Sequence, residues 1–328
     1  MTNRRQFIRN ASLAAATGVF AASSTVSAAS VSDSQQTKKS FGLQTYSLTN
    51  REMARPGQVA DREFSSDVPA GLKRIKALGY SFLELAGYGV RDGVSRIGAV
   101  PIAEFKKYAN DAGLEIRSTH VGHTTYPRDR SNRQQELDHW KRAFDDHKSI
   151  GCKYVIQPGD PPMVSTEDVT FMGELYNELG RLAKTAGVTF GYHNHALEFK
   201  RVIPGGYERL SLREGPRLSH AKIVYDALIE ATDSELVLFE LDVYWAVMGQ
   251  SDPVAYMKKY PKHIRVVHIK DVAVLGESGM MNFQKIFETA YGLGIQDFIV
   301  ELEGYAAGSQ FDGVKGCADY LLKAPFVK

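Results

Sequence analysis

The chain is predicted to fold as a (β/α)8 barrel, one domain of parallel strands alternating with helices. Three observations point there. Past residue 40, eight short β-rich runs alternate with longer helical stretches. Four of these runs follow a helix closed by a glycine (Gly79, Gly113, Gly151, Gly187), the usual helix-to-strand turn. Polar residues gather at the C-terminal ends of the runs, where such barrels carry their sites. A doubly wound sheet is the alternative. It would usually need a Gly-x-Gly-x-x-Gly loop after an early strand, and none follows the first run.

Taken in order, residues 41–46 read as strand one, 68–78 as a helix closed by Gly79, and 81–85 as strand two. A helix over 102–112 ends at Gly113, and strand three covers 115–121. A long helix over 133–150 ends at Gly151, and strand four covers 153–157. A helix over 168–186 is capped by Gly187, with strand five at 188–193. Strands six, seven and eight fall at 236–243, 264–269 and 297–302. Residues 196–220, with Pro204, Gly205, Gly206, Gly215 and Pro216, are too long for a bare connection and read as a lid or rim over the mouth.

The first residues read as an address. Arg4-Arg5-Gln6-Phe7-Ile8 precedes a short, Ala-rich apolar run at 11–22, and Val26-Ser27-Ala28 offers the small residues a signal peptidase accepts. The pattern resembles a twin-arginine export signal over 1–28, followed by a polar linker over 29–40. It implies passage through the twin-arginine translocase and a periplasmic destination. Removing the signal takes away Arg4, Arg5 and Arg9 and no acid, so the net charge of +2 becomes −1. Nothing basic clusters as a nucleic-acid face would. At 43% hydrophobic and 24% charged the chain is globular, and no run is long enough for a membrane span. Two cysteines, Cys152 and Cys317, exclude a disulfide scaffold or a zinc ribbon and read as buried thiols.

The strand ends carry the chemistry. Strand one contributes Gln44 and Tyr46, strand two Glu84, strand three His120 and His123, and strand four Gln157. Strand five gives His193, Asn194, His195 and Glu198, and strand six Asp242. Strand seven gives His268, Lys270 and Asp271, and strand eight Glu301 and Glu303. Five of nine histidines fall in this set; His139, His147, His220 and His263 fall in helices or at their ends and read as solvated. Buried carboxylates and imidazoles at adjacent strand ends are costly unless paired or bound to a cation. One divalent ion resolves that cost, and these ligand types suit Mn²⁺, Mg²⁺, Co²⁺ or Zn²⁺. Each residue also has a plainer role: Asp242 as a turn cap, His268 as a satisfied core histidine, Glu301 as a partner of a lysine.

The order of motifs, from Gly-Leu-Gln-Thr-Tyr at Gln44 through Phe-Leu-Glu-Leu at Glu84, His120, His193-Asn-His-x-x-Glu-Phe, Leu-Asp242-x-x-Trp and His268-Ile-Lys-Asp to Val-Glu301-x-Glu, resembles the sugar phosphate isomerase/epimerase family of xylose-isomerase-like barrels. The resemblance spans nearly the whole mature chain. It implies a metal held by residues of strands five to eight, most often Glu, Asp, His and Glu. Asp242, His268 and Glu301 match the last three. At strand five either Glu198 or His193 could serve; Glu198 is preferred because it restores a three-carboxylate set, and His193 then faces the substrate.

The expected chemistry is proton removal next to a carbonyl of a sugar, keto-sugar or cyclitol, giving an enediolate. Epimerase, isomerase and lyase or dehydratase outcomes share that first half. His195, His120, Glu84 and His193 are the expected acid/base or orienting groups. Gln44, Trp245, Lys270 and Glu303 are the expected substrate contacts, with Trp245 as a stacking wall. The rival from another class is a catalytically silent sugar-binding protein on the same fold.

Overall fold

The computed structural model describes residues 39–49, 63–124, 130–159, 162–206, 221–304 and 308–328. Residues 1–28, read as an export signal, and the expected linker up to residue 38 lie outside the described residues. At the linker's end Lys39 Nζ donates to the Leu321 and Ala324 carbonyls, and Ser40 N donates to Lys328 O at 3.3 Å.

Eight strands form the barrel: β1 (Gly42–Gln44), β2 (Phe82–Leu85), β3 (Glu115–His120), β4 (Tyr154–Gln157), β5 (Thr189–His193), β6 (Val237–Asp242), β7 (Ile264–Ile269) and β8 (Asp297–Val300). All eight pairings are parallel, and β8 closes on β1. The (β/α)8 expectation holds, in a single domain. The main helices are α1 (Val68–Ala77), α2 (Ile102–Ala112), α3 (Arg133–Ser149), α4 (Thr166–Ala186), α5 (Val224–Glu230), α6 (Val243–Met248), α7 (Pro253–Lys259), α8 (Phe283–Gly292) and α9 (Gln310–Lys323). No described helix is long and apolar enough to cross a membrane.

Local chemistry sets the boundaries. Helix α4 starts two residues before the expected position, because Ser165 and Asp168 form a reciprocal capping box. Gly113 and Gly187 close α2 and α4 in the left-handed region, as their spacing predicts.

Two-residue periodicity builds the barrel interior. Its floor is a separate apolar cluster of Phe82, Ile156, Leu238, Val266 and Ile299. A Cβ at Gly42 would run into the Phe82 ring, so glycine is what lets that ring fill the floor. Beneath it the Arg117 guanidinium stacks 3.8 Å from the Phe82 ring centre and pairs with Asp297 at 2.7 Å. Two residues above Leu238 on β6 stands Glu240, and two above that Asp242. The polar site therefore begins directly on the apolar floor.

Two features differ from expectation. A three-stranded antiparallel sheet (Tyr88–Arg91, Val94–Ile97, Val100–Pro101) stands between β2 and α2. Its turn is Asp92-Gly93, both with positive φ (51° and 74°), the pairing that two-residue hairpins favour. It docks on α3, where Asp146 Oδ2 accepts from Tyr88 and Ser95 hydroxyls. His147, read as solvated, is instead wholly buried: its Nδ1–H donates to Ala143 O at 2.7 Å and its ring packs 4.7 Å from Tyr88. Helix α3 turns that residue inward against the hairpin. Of the 196–220 excursion, Leu197–Phe199 forms a 3-10 turn and Arg201–Val202 pairs with Lys222–Ile223. Residues 207–220, where the lid reading chiefly falls, lie outside the described residues.

Candidate active site

Beta strands raise side chains along the barrel axis in steps, so each strand supplies more than its last residue. Strand β6 contributes Glu240 and Asp242, both fully buried. In register beside them lie His193 on β5, opposite Glu240, and His268 on β7, opposite Asp242. The candidate site is the well these residues line, opening into a cleft of about 420 Å³ whose walls include Tyr88, His195, Trp245 and Lys270.

The lower tier is a knot of two carboxylates under three imidazoles. His268 Nε2 lies 2.6 Å from Glu84 Oε2 and 3.2 Å from Glu240 Oε2. His120 Nε2 lies 3.0 Å from an oxygen of each, and His193 Nδ1 lies 3.1 Å from Glu240 Oε2. Gln44 Nε2 donates to Glu84 Oε2 at 2.7 Å, while its Oε1 accepts from Tyr46 N. Burial would raise the Glu84 carboxyl, yet the charge and hydrogen bonds of His120 and His268 hold it well below the usual range. Glu240 goes the other way, to about 7, through burial and then the neighbouring Glu84 charge. Burial opposes charge on His120, but the two carboxylates lift it to about 9. Burial and the neighbouring His268 and His120 charges press His193 well below its ordinary value.

The upper tier is different. Asp242 Oδ1 accepts from Trp245 N at 2.8 Å and caps α6, so the plainer reading holds for that oxygen. Its Oδ2 has no hydrogen-bond partner among the described residues, and neither has His268 Nδ1. The Asp242 backbone is clamped by Asn194, which accepts from Asp242 N and donates to Asp242 O. Lys270 Nζ reaches Glu301 at 2.6 Å, Glu303 at 2.5 Å and Asp242 Oδ2 at 3.5 Å. Despite burial, those acids keep the Lys270 ammonium firmly charged. Burial would raise Glu301, but Lys270 and His268 hold it well below the usual range. Burial, with the Glu301 charge adding to it and Lys270 and His268 opposing, drives Asp242 up to about 6.

His193, Asp242, His268 and Glu301 each offer a donor atom, all within 4.8 Å of one another. Two buried donor atoms inside that group, Asp242 Oδ2 and His268 Nδ1, make no hydrogen bond, which fits a cation, and two imidazoles with two carboxylates suit Zn²⁺, Co²⁺ or Mn²⁺ better than Mg²⁺.

The structure brings Glu84, His120, His193, Asp242, His268, Lys270 and Glu301 together, with His195, Trp245 and Glu303 on the wall. Three residues sit elsewhere, and a fourth, Glu84, sits lower than expected. Glu198, preferred as the strand-five ligand, belongs to neither donor group found among the described residues. The 3-10 turn folds it back, so Oε1 accepts from Tyr192 OH at 2.6 Å and Oε2 from His195 N at 2.9 Å. His193 stands in the donor group instead. Gln44, expected to meet substrate, is fully buried with both ends of its amide engaged below the well. Glu84 likewise lies beneath the imidazoles rather than on the cleft wall. His123 pairs with Glu136 under Trp140, off the well. Sequence reading missed Glu240, the acceptor at the centre of the knot. The two-residue period back from Asp242 on a strand would have found it.

A family model described as Xylose isomerase-like TIM barrel matches residues 72–321. Two crystal structures of a sugar phosphate isomerase/epimerase from Parabacteroides distasonis are similar: one is 42% identical with a TM-score of 0.77, covering 88% of this chain and all of that one. The other is 38% identical with a TM-score of 0.79, covering 92% of this chain and all of that one. An inosose dehydratase from Geobacillus kaustophilus is 28% identical over 179 residues, 50% of this chain and 51% of that protein. The chain thus matches about half the length of this curated relative, and 32% of another from Clostridium tetani.

Proposed function

The chain belongs to the xylose isomerase-like TIM-barrel family, and from that premise we propose that it is a metal-dependent isomerase/epimerase acting on a sugar, keto-sugar or cyclitol. The observation that carries this reading is the convergence of His193, Asp242, His268 and Glu301, whose buried donor atoms lie within 4.8 Å of one another and include two, Asp242 Oδ2 and His268 Nδ1, that make no hydrogen bond. A divalent ion held there would polarise a carbonyl and its neighbouring hydroxyl and so acidify the C–H between them.

The remaining work falls to the chain. His195, kept neutral by burial at the cleft wall, accepts the carbon-bound proton and returns it. The Lys270 ammonium, held over the Trp245 ring at 5.1 Å, stabilises negative charge developing on substrate oxygen. Trp245, 5.6 Å from the His195 ring, presents an apolar wall to the C–H face of a sugar. Return of that proton to the adjacent carbon is isomerisation; epimerisation needs a second group to deliver a proton to the other face while His195 keeps the one it took. Loss of a β-hydroxyl instead is the second reading, a dehydratase, favoured by the similarity to the inosose dehydratase. The Arg4-Arg5 leader supports a periplasmic enzyme delivered by the twin-arginine translocase, and with it an unphosphorylated substrate.

The test is solvent exchange. Metal-loaded protein in D₂O is given free ketoses, 3-keto-glycosides and inososes, and C–H signals are followed by NMR. Deuterium next to the carbonyl without loss of a group is the expected result; loss of a hydroxyl supports the dehydratase. A full metal site with no exchange on any compound overturns both in favour of a sugar-binding protein.

A further inference from the structure

Two overlapping groups of donors occupy the well: His193, Asp242, His268 and Glu301 above, and His120, His193, Glu240 and His268 below. Both could hold a metal by composition, and they share two histidines. The state of the imidazole nitrogens separates them. In the lower group His120 Nε2, His193 Nδ1 and His268 Nε2 all lie 2.6–3.1 Å from a carboxylate oxygen of Glu84 or Glu240. Those contacts already occupy the imidazole nitrogens that face the lower carboxylates, although Glu240 Oε1 itself has no hydrogen-bond partner among the described residues. In the upper group Asp242 Oδ2 and His268 Nδ1 make no hydrogen bond and have only longer contacts, to Lys270 Nζ at 3.5 Å and Glu301 Oε2 at 3.4 Å.

An imidazole that gives one N–H to a carboxylate has its other nitrogen's lone pair free for a cation. The two shared histidines use different nitrogens downward: His193 spends Nδ1 on Glu240, and His268 spends Nε2 on Glu84. We propose that Glu240 and Glu84 are positioning residues that fix opposite tautomers on the two ligands, so that His193 offers Nε2 and His268 offers Nδ1 to one cation. Each carboxylate also meets His120, at 3.0 Å, which ties the two together beneath the site. The inference rests on the metal reading above and adds which nitrogen binds and what selects it. It also gives Glu240 and Glu84 a role outside the proton transfer.

The experiment uses the full chain loaded with ¹¹³Cd²⁺ and with ¹⁵N-labelled histidine, read by long-range ¹H–¹⁵N NMR. Cadmium coupling at His193 Nε2 and His268 Nδ1, with N–H at His193 Nδ1 and His268 Nε2, is the expected pattern. Glu240→Gln and Glu84→Gln should each weaken Cd²⁺ binding by about 10–100-fold in calorimetry while circular dichroism stays unchanged. Coupling at His193 Nδ1 or His268 Nε2 overturns the inference and leaves the metal reading standing. So does unchanged affinity in both variants. Wild-type protein that takes up no Cd²⁺, or takes it up without coupling to either histidine, overturns the metal reading and the inference together. The wild-type coupling pattern decides the matter even if a variant fails to fold.

Discussion

Glu240 and Asp242 stand two residues apart on β6, both wholly buried, and their side chains meet opposite surroundings. Glu240 Oε2 lies within 3.2 Å of three imidazole nitrogens, whereas Asp242 Oδ2 makes no hydrogen bond and faces only the Lys270 ammonium, at 3.5 Å. One strand thus supplies both the acceptor that gathers the histidines and the oxygen left open above them.

Asp242→Asn and Glu301→Gln each remove one of the two ligand charges. Elemental analysis should find roughly one divalent ion per chain in the parent, and each variant should stay folded while losing that ion and deuterium exchange. Full metal occupancy in both would remove these residues from the ligand set.

Acid stability should carry a signature of His147. Burial lowers its folded pKa to about 4, below the ordinary 6.5, with the Ala143 carbonyl and Asp146 only partly opposing. Between these values the unfolded chain binds more protons, so stability is fully present above pH ~6.5 and is lost as pH falls towards ~4. The size is about 3 kcal/mol from this group. Urea titrations at pH 7 and pH 4.5 should show that loss in the parent and a smaller one in His147→Leu. Equal losses would mean the ring is not buried neutral.

Gly42→Ala should destabilise the barrel by ~1–3 kcal/mol through overpacking against Phe82. Adding Phe82→Leu should recover part of it, since the two share one space. Additive effects in chemical denaturation would contradict the contact.

Replacing Arg4 and Arg5 with lysine should trap precursor in the cytoplasm, because the pair of guanidinium groups is what the export reading requires. Cell fractionation checks this, and undiminished periplasmic protein would reject the leader assignment.

The strands and the glycine-capped helices were legible because their signals are local: β-rich runs, capping residues, helix-closing glycines. The Tyr88–Ile97 hairpin was equally local, through Asp92-Gly93, and went unread because a barrel does not require it. The site was legible where a ligand ends a strand, as with Asp242 and His268. Glu240 hid one step deeper, between Phe239 and Leu241 in a run that reads as core. Glu198 misled for a different reason. Spacing cannot say whether a residue five positions past His193 continues upward or, as here, turns back to hold His195 N and Tyr192 OH.

The floor of Phe82, Ile156, Leu238, Val266 and Ile299 makes the well a cul-de-sac. Traffic through it is two-way at one mouth: product leaves by the route substrate enters, and the two exclude each other. Above that floor, the His120, His193 and His268 rings contact Glu84 and Glu240, and His120 and His193 also line the cleft, which places imidazoles on the path of proton exchange between those carboxylates and the mouth.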